Sequence, residues 1–248
     1  MDSIKEFNFK VNGFDMKASY FKRTIDEIFI PVLRKWTEMN KSKDQRFIIF
    51  LAAPPAVGKT TVSLFLEYLS KNIEGIEEIQ AIGLDGFHFH KDYIMSHSIN
   101  IQGKETPMSD IKGCLETFDI DKLKVKLEEL RKNDIKWPIY DRNIHDVVED
   151  SIFVDKKIVL IEGNWLLTDE EKWTNLKEFY NYSIFIYADE ELLKQRLIQR
   201  KMKGGLSYEE ALRFYEKSDS VNVRRVLKNH LPADLELVMK ANGDYLPF

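Results

Sequence analysis

Cysteine is nearly absent: Cys114 stands alone in a chain of 248 residues. No disulfide can form within the chain, which excludes a disulfide-stapled scaffold and fits a reducing, cytoplasmic setting. The longest strongly apolar run, Phe47 to Val57, has 11 residues and contains two prolines. That is too short to span a bilayer, so no membrane role is expected. The opening MDSIKEFNFKVNG holds no apolar signal-peptide core. Neither sign of charge dominates, with 37 Lys plus Arg against 41 Asp plus Glu, a net charge of −4. A near-balanced chain is not a global nucleic-acid binder, although a local basic groove stays open. Repeats and low-complexity tracts are missing too. What remains is ordinary: 44% hydrophobic, 31% charged and 12% aromatic residues. Such a composition excludes disorder and collagen, and the length leaves one or two domains open.

Strand and helix patterns alternate along the chain. Phe47-Ile48-Ile49-Phe50-Leu51 reads as a strand buried on both faces, and residues 78–84, 158–161, 183–187 and 235–239 as four more. Helices fill the gaps. Val62, Leu66 and Leu69 share one face, as do Leu123, Leu127 and Leu130 behind a capping Asp119. Asp189 can cap a helix carrying Leu193 and Leu197, and Ser207 with Glu210 is a capping-box pair. Phe21, Ile25, Phe29 and Val32 predict an N-terminal helix that Pro31 kinks or restarts. The fold class expected is α/β, with a parallel sheet of about five strands and helices on both faces. The stretch from Asp85 to Lys156 interrupts the alternation and is the natural place for a substrate-specific insertion.

The sharpest motif is Ala53-Pro54-Pro55-Ala56-Val57-Gly58-Lys59-Thr60, followed by Thr61, between a strand and a helix. It matches the end of the phosphate-loop pattern GxxxxGK[ST]. Backbone N–H groups and the positive end of the helix would surround phosphate oxygens. Gly58 would let the backbone approach, Lys59 would place its charge on the β and γ phosphates, and Thr60 would offer a hydroxyl to phosphate-bound Mg²⁺. The departure is Ala53, where the pattern has glycine. A positive φ there would cost about 1 kcal/mol or more.

Two carboxylates close apolar strands, Asp85 in Leu84-Asp85-Gly86-Phe87-His88 and Glu162 in Glu162-Gly163-Asn164. In a parallel sheet both project toward the edge that carries the phosphate loop. Either acid can take a proton from an attacking hydroxyl or support the metal. Asp85 leads directly into the insertion, which assigns it to the acceptor hydroxyl and Glu162 to the metal side.

Taken in order, Pro55 to Thr60, Asp85-Gly86-Phe87 and Ile161-Glu162-Gly163 resemble the pantothenate kinase, uridine kinase and phosphoribulokinase superfamily of P-loop kinases. Lys112-Gly113, Thr117-Phe118-Asp119, Pro138 and Tyr140-Asp141-Arg142 are similar to its nucleoside/nucleotide kinase-like, fructose-transport-associated branch. The resemblance spans residues 45–240 and implies a three-layer P-loop sandwich using ATP and Mg²⁺. It implies Asp85 as catalytic base, Arg142 as a substrate-side arginine and Glu162 as metal-side acid. The domain layout expected is an N-terminal helical extension over 1–45 packed on a kinase domain over 46–248. That domain would carry an insertion at 86–156 and a lid at 196–206.

Arg196 and Arg200 lie four apart on one predicted helix, before Lys201, Lys203 and Gly204-Gly205. They resemble a lid that closes over ATP, with Arg196 the catalytic arginine by resemblance and Arg200 on the nucleotide. A solvated basic face is the alternative. Asp219 and Asn222 resemble the branch's Asn-Asp-x-x-Asn segment, with a polar helix surface equally open. His88 is expected to line the acceptor pocket and His90 to be exposed, since no tetrahedral zinc set is present. Phe87, Trp137, Tyr140 and Trp165 either wall that pocket or belong to the core. The expected activity is phosphorylation of a hydroxyl on a small-molecule acceptor such as pantothenate, a nucleoside or a sugar. A regulatory P-loop ATPase is the alternative. Monomer and homodimer both stay open.

Overall fold

The computed structural model describes residues 3–11, 14–101 and 103–248. The chain begins with an antiparallel hairpin, β1 (Ile4–Val11) and β2 (Phe14–Phe21). Then α1 (Lys22–Thr24) passes through a π turn (Ile25–Phe29) into α2 (Ile30–Asn40). The N-terminal extension is therefore strand followed by helix, not helical throughout, and Phe21 closes β2 instead of joining the helical stripe. Apolar alternation on both sides of Asn12-Gly13 is the hairpin signal that the helical reading overlooked; Asn12 and Gly13 themselves lie outside the described residues. Pro31 lies in the first turn of α2, directly after the π turn, and the backbone stays helical through Phe29 and Ile30, so the helix runs on instead of restarting.

The remaining elements are β3 (Phe47–Ala52), α3 (Lys59–Asn72), β4 (Ile79–Gly83), α4 (Lys91–Ser96), β5 (Ser98–Ile101), β6 (Lys104–Pro107) and α5 (Ile120–Lys132). After them come β7 (Ile135–Asp141), β8 (Asp146–Val154), β9 (Ile158–Gly163), β10 (Tyr182–Ala188) and α6 (Glu190–Lys203). Last are α7 (Tyr208–Phe214), a second π turn (Tyr215–Asp219), α8 (Ser220–Lys228), β11 (Leu235–Met239) and β12 (Tyr245–Pro247). The caps foreseen from the sequence are in place. Asp119 and Asp189 accept from first-turn N–H groups, and Ser207 with Glu210 forms a reciprocal capping box.

The central sheet runs β12-β11-β10-β3-β9-β4. Five of its strands are parallel, and β12 adds an antiparallel edge. The central strand shows why both faces must be covered. Phe47, Ile49 and Leu51 enter one core beneath α2, α3 and α6, while Ile48, Phe50 and Ala52 enter the other, against α5. Each fully buried Ile, Leu or Phe contributes roughly 1.5–3 kcal/mol, so the middle of the sheet is a rigid platform for the loops at its carboxyl edge.

The insertion after β4 is compact. It contains two antiparallel hairpins, β5–β6 and β7–β8, around α5. The N-terminal hairpin sits behind the phosphate loop, where Tyr20 stacks on Phe65 of α3 with ring centroids 4.3 Å apart.

Candidate active site

The register of three neighbouring strands builds the site. Leu51 of β3 pairs with Glu162 of β9, and Glu162 pairs with Gly83 of β4. The phosphate loop leaves β3 just beyond that row, Glu162 lies within it, and Asp85 follows two residues after Gly83, in a 3-10 turn over Leu84–Phe87. Because parallel strands end together, residues far apart in sequence reach one edge.

Ala53 is buried, and the positive φ angles of the loop fall at Ala56 (67°) and Gly58 (95°). The absence of glycine at position 53 thus carries no backbone strain. Gly58 is required on two counts: its left-handed φ, and the Tyr245 Oη that a Cβ would meet at 3.3 Å. α3 starts at Lys59, so its free N–H groups and positive end face the loop. Pro54 is buried beside Ala53, while Pro55, Thr60 and Thr61 are half-buried. Tyr245, on the short edge strand β12, also donates to the Val57 carbonyl at 3.2 Å. No local sequence signal announces that contact, which joins residues 188 positions apart.

Thr60 Oγ1 donates to Glu162 Oε1 at 2.6 Å, and Lys59 Nζ lies 3.9 Å from Glu162 Oε2. Glu162 is only 9% exposed. Burial pushes its carboxyl above the ordinary range; Lys59 opposes this, Asp85 adds to it, and Thr60 and Arg142 oppose it. Asp85 is exposed, and its charge is also felt by His88 and Arg200. Arg142, just past β7, is exposed and acts on both Glu162 and Arg200. Lys59, Thr60, Asp85, Arg142, Glu162 and Arg200 therefore gather at one mouth.

Arg196 does not join them. Its guanidinium lies beside Met239 Sδ, on a shallow cavity of about 240 Å³ between α6 and the β11–β12 connection. Gln195, Gln199, Lys240 and Gly243 also line it. Arg200, one turn later, faces Asp219, Arg142 and Asp85. Desolvation holds its pKa below the usual arginine value, helped by Arg142 and opposed by Asp219 and Asp85. The sequence placed both in one lid over ATP, Arg196 as the catalytic arginine and Arg200 on the nucleotide; the structure brings Arg200, and not Arg196, toward Asp85 and Arg142. The direction in which each points depends on the tilt of α6 over the sheet, which spacing alone does not carry.

Phe87, Trp137 and Trp165 are wholly buried and belong to the core beneath the site, whereas Tyr140 is half-buried. His88 is buried and stacks on Phe118 at 3.8 Å, with burial holding its pKa down and Asp85 opposing. His90 is exposed, 3.2 Å from Glu149 and 3.5 Å from Asp146. Cys114 is buried, its thiol pushed up to about 11 by desolvation, which leaves it a poor nucleophile.

Gly86 explains why Asp85 stands where it does. A Cβ at Gly86 would lie 2.9 Å from the Ile139 amide nitrogen and closer still to the Pro138 carbonyl. Trp137 Nε1 donates to the Gly83 carbonyl at 2.9 Å, drawing β7 onto the turn. Gly86→Ala must therefore push β7 away. It should cost about 1–3 kcal/mol, the usual penalty for overpacking, and lower the thermal midpoint. An unchanged midpoint in calorimetry would contradict this close approach.

Among the described residues no cluster of three or more His, Cys, Asp or Glu is arranged to hold a metal by itself. Thr60 and Glu162 nevertheless supply the oxygen donors that fit Mg²⁺, which takes one or two protein ligands and completes its shell with phosphates and water. Among the described residues no helix is long and apolar enough to cross a membrane.

Comparison with known proteins agrees with this arrangement. Residues 48–228 match the family model described as Phosphoribulokinase / Uridine kinase family. The Escherichia coli (strain K12) protein YggC, described as uncharacterized, is 39% identical over 236 residues, covering 95% of this chain and 96% of its own. A pantothenate kinase of Enterococcus faecalis is 26% identical over 214 residues, covering 81% of this chain and 66% of its own. In fold, the chain is similar to the crystal structure of a "putative fructose transport system kinase" from Silicibacter sp. TM1040. The TM-score is 0.72 at 24% identity, over 83% of this chain and 97% of that one. With its phosphate loop on the central strand, its two strand-end acids and a family match over most of its length, the chain belongs to the phosphoribulokinase/uridine kinase family of P-loop kinases.

Proposed function

We propose that the protein is an ATP-dependent phosphotransferase whose acceptor is a hydroxyl group of a small metabolite. The observation that carries this reading is the meeting of Lys59, Thr60 and buried Glu162 with Asp85, Arg142 and Arg200 at one sheet edge. In this reading the N–H groups of residues 53–61 cradle the ATP phosphates, and Lys59 holds the β and γ oxygens. Thr60 and Glu162 would hold Mg²⁺, which when bound neutralises phosphate charge. Arg196 is assigned to the base of ATP, since it lines the cavity beyond the loop, and Arg200 to the transferred phosphoryl group. Arg142 approaches that group from the acceptor side.

Asp85 accepts the proton of the acceptor hydroxyl. The hydroxyl oxygen then forms its bond to the γ phosphorus as the bond to the ADP oxygen breaks. A carboxylate is a weak base beside an alkoxide, so most of the help comes from holding the hydroxyl in line and from stabilising charge. ADP release measured with and without a metabolite panel tests the proposal. Acceptor-dependent turnover is expected; turnover raised only by a protein or nucleic acid would replace it with the regulatory ATPase reading.

Two demands of the chemistry, a hydroxyl and a carboxylate at the cation, give a further expectation. Activity should require Mg²⁺ or Mn²⁺ and vanish when EDTA is added, then return on addition of excess Mg²⁺. Full activity in EDTA would remove Thr60 and Glu162 from the metal role.

A further inference from the structure

Tyr245 opens β12, outside the residues 48–228 that match the family description, yet it touches the phosphate loop. Its Oη donates to the Val57 carbonyl at 3.2 Å and lies 3.3 Å from where a Cβ on Gly58 would stand. Both contacts fall on one peptide unit, Val57–Gly58. That peptide is trans, so its carbonyl and its N–H point in opposite directions. A hydroxyl that holds the Val57 carbonyl therefore turns the Gly58 N–H to the far side, away from Tyr245. The restraint matters here because a glycine, at φ 95°, has little steric restraint of its own on how its peptide is turned. Burial pushes the Tyr245 phenol up to about 12, so it keeps the proton it donates.

The hydroxyl is held in place from the N-terminal extension. Asp244 precedes Tyr245 and is only 5% exposed. Its Oδ1 accepts from Thr24 Oγ1 at 2.5 Å and from the Tyr245 N–H at 3.0 Å, and its Oδ2 accepts from Arg23 at 2.7 Å. Thr24 is itself buried. A buried carboxylate is costly to leave unpaired, so these bonds firmly tie segments 220 positions apart. Tyr20 and Phe29, on either side of Thr24 in the chain, also approach the Tyr245 ring, each with centroids 6.1 Å away. The extension thus has two holds on one tyrosine, through the carboxylate beside it and through its ring.

We propose that Tyr245 is a positioning residue for the nucleotide and that the N-terminal extension acts through it. The Arg23–Thr24–Asp244 latch holds the Tyr245 hydroxyl, which presents the Gly58 N–H to the phosphates of a nucleoside triphosphate. The inference rests on the kinase reading given above and gives the extension a part in it. A purely structural latch would stabilise the fold and leave phosphate binding alone. A latch that sets a peptide plane changes the affinity for the ligand that the plane contacts.

The test is titration calorimetry of the full-length protein with Mg²⁺ and the non-hydrolysable ATP analogue adenylyl imidodiphosphate. Tyr245→Phe keeps the ring and removes only the hydroxyl. Its affinity should fall by about three- to tenfold, the range for the net worth of one hydrogen bond. Thr24→Val removes a latch bond at nearly constant volume and should lower affinity in the same direction. Thr24→Ser, which keeps the hydroxyl, should bind like wild type. The double variant Thr24→Val/Tyr245→Phe should bind no more weakly than Tyr245→Phe alone, because the latch acts through a hydroxyl already removed. Wild-type affinity in both single variants, whatever their thermal midpoints, would overturn the inference and leave the kinase reading intact. Full additivity in the double variant would overturn the action of the extension through Tyr245. If Tyr245→Phe does not fold, Thr24→Val against Thr24→Ser decides by the same affinities. Failure of the wild-type protein to bind the analogue would take down the kinase reading as well.

Discussion

Lys59→Ala should yield a folded protein that has lost phosphoryl transfer. If Lys59 holds the transferred group as proposed, removing its charge lowers kcat by about 10²–10³-fold, the scale for loss of one pre-placed electrostatic contact in a water-poor site. Folding should survive. Lys59 sits at the start of α3, where its backbone rather than its side chain makes the helix. Its ion pair with Glu162 is a long one, at 3.9 Å. Once Lys59 is gone, Glu162 can take up a proton, which its burial already favours, and remain bonded to Thr60. Circular dichroism and a thermal midpoint near wild type, together with the loss of turnover, make the expected result. Near-wild-type turnover from a folded variant would sink the phosphate-loop assignment.

Asp85→Asn should lower kcat by about 10²-fold or more, the lower end of the range for general acid–base help, with ATP binding little changed. The expectation follows from placement. Asp85 is the one exposed residue of an otherwise buried turn beyond the sheet edge, so losing its charge leaves the cradle formed by Gly58, Lys59 and Thr60 intact. Glu162→Gln should do the opposite. Glu162 is buried against Thr60 and Lys59, so the variant should weaken binding of Mg²⁺ with ATP before it changes anything on the acceptor side. Isothermal titration with a non-hydrolysable analogue, beside steady-state kinetics, separates the two. If Asp85→Asn abolishes nucleotide binding while Glu162→Gln spares it, the roles are exchanged.

The two variants also bear on each other. Asp85 raises the cost of ionising Glu162, and Arg142 lowers it. Removing the Asp85 charge therefore makes Glu162 easier to ionise, so any small gain in metal affinity in Asp85→Asn is a side effect of like-charge relief.

Several features were legible in the chain because adjacent residues encode them. A β-rich apolar run, a small-residue loop with Gly58-Lys59-Thr60, and a 3.6-residue stripe behind it specify strand, cradle and helix within one short segment. Helix starts were legible for the same reason: the caps at Asp119, Asp189 and Ser207 bond to N–H groups no more than three residues away. That Asp85 and Glu162 share an edge also followed from sequence, since strands joined by helices run parallel and end on one side.

Other features depend on how distant segments pack. The N-terminal hairpin was masked by the helical stripe that follows it, and its strands take meaning from Phe65 and Tyr245 on which Tyr20 rests. Arg196 and Arg200 share a helical face, but a rise of four residues separates a contact with Met239 from a view of Asp85 and Asp219, and only the placement of α6 decides between them. Gly86 reads as an ordinary turn glycine until β7 is seen to cross it. Asp219 and Asn222 read as a polar helix surface until the π turn buries them. Local chemistry is written in neighbouring residues, whereas burial and the pairing of residues far apart in the chain arise only when the layers close.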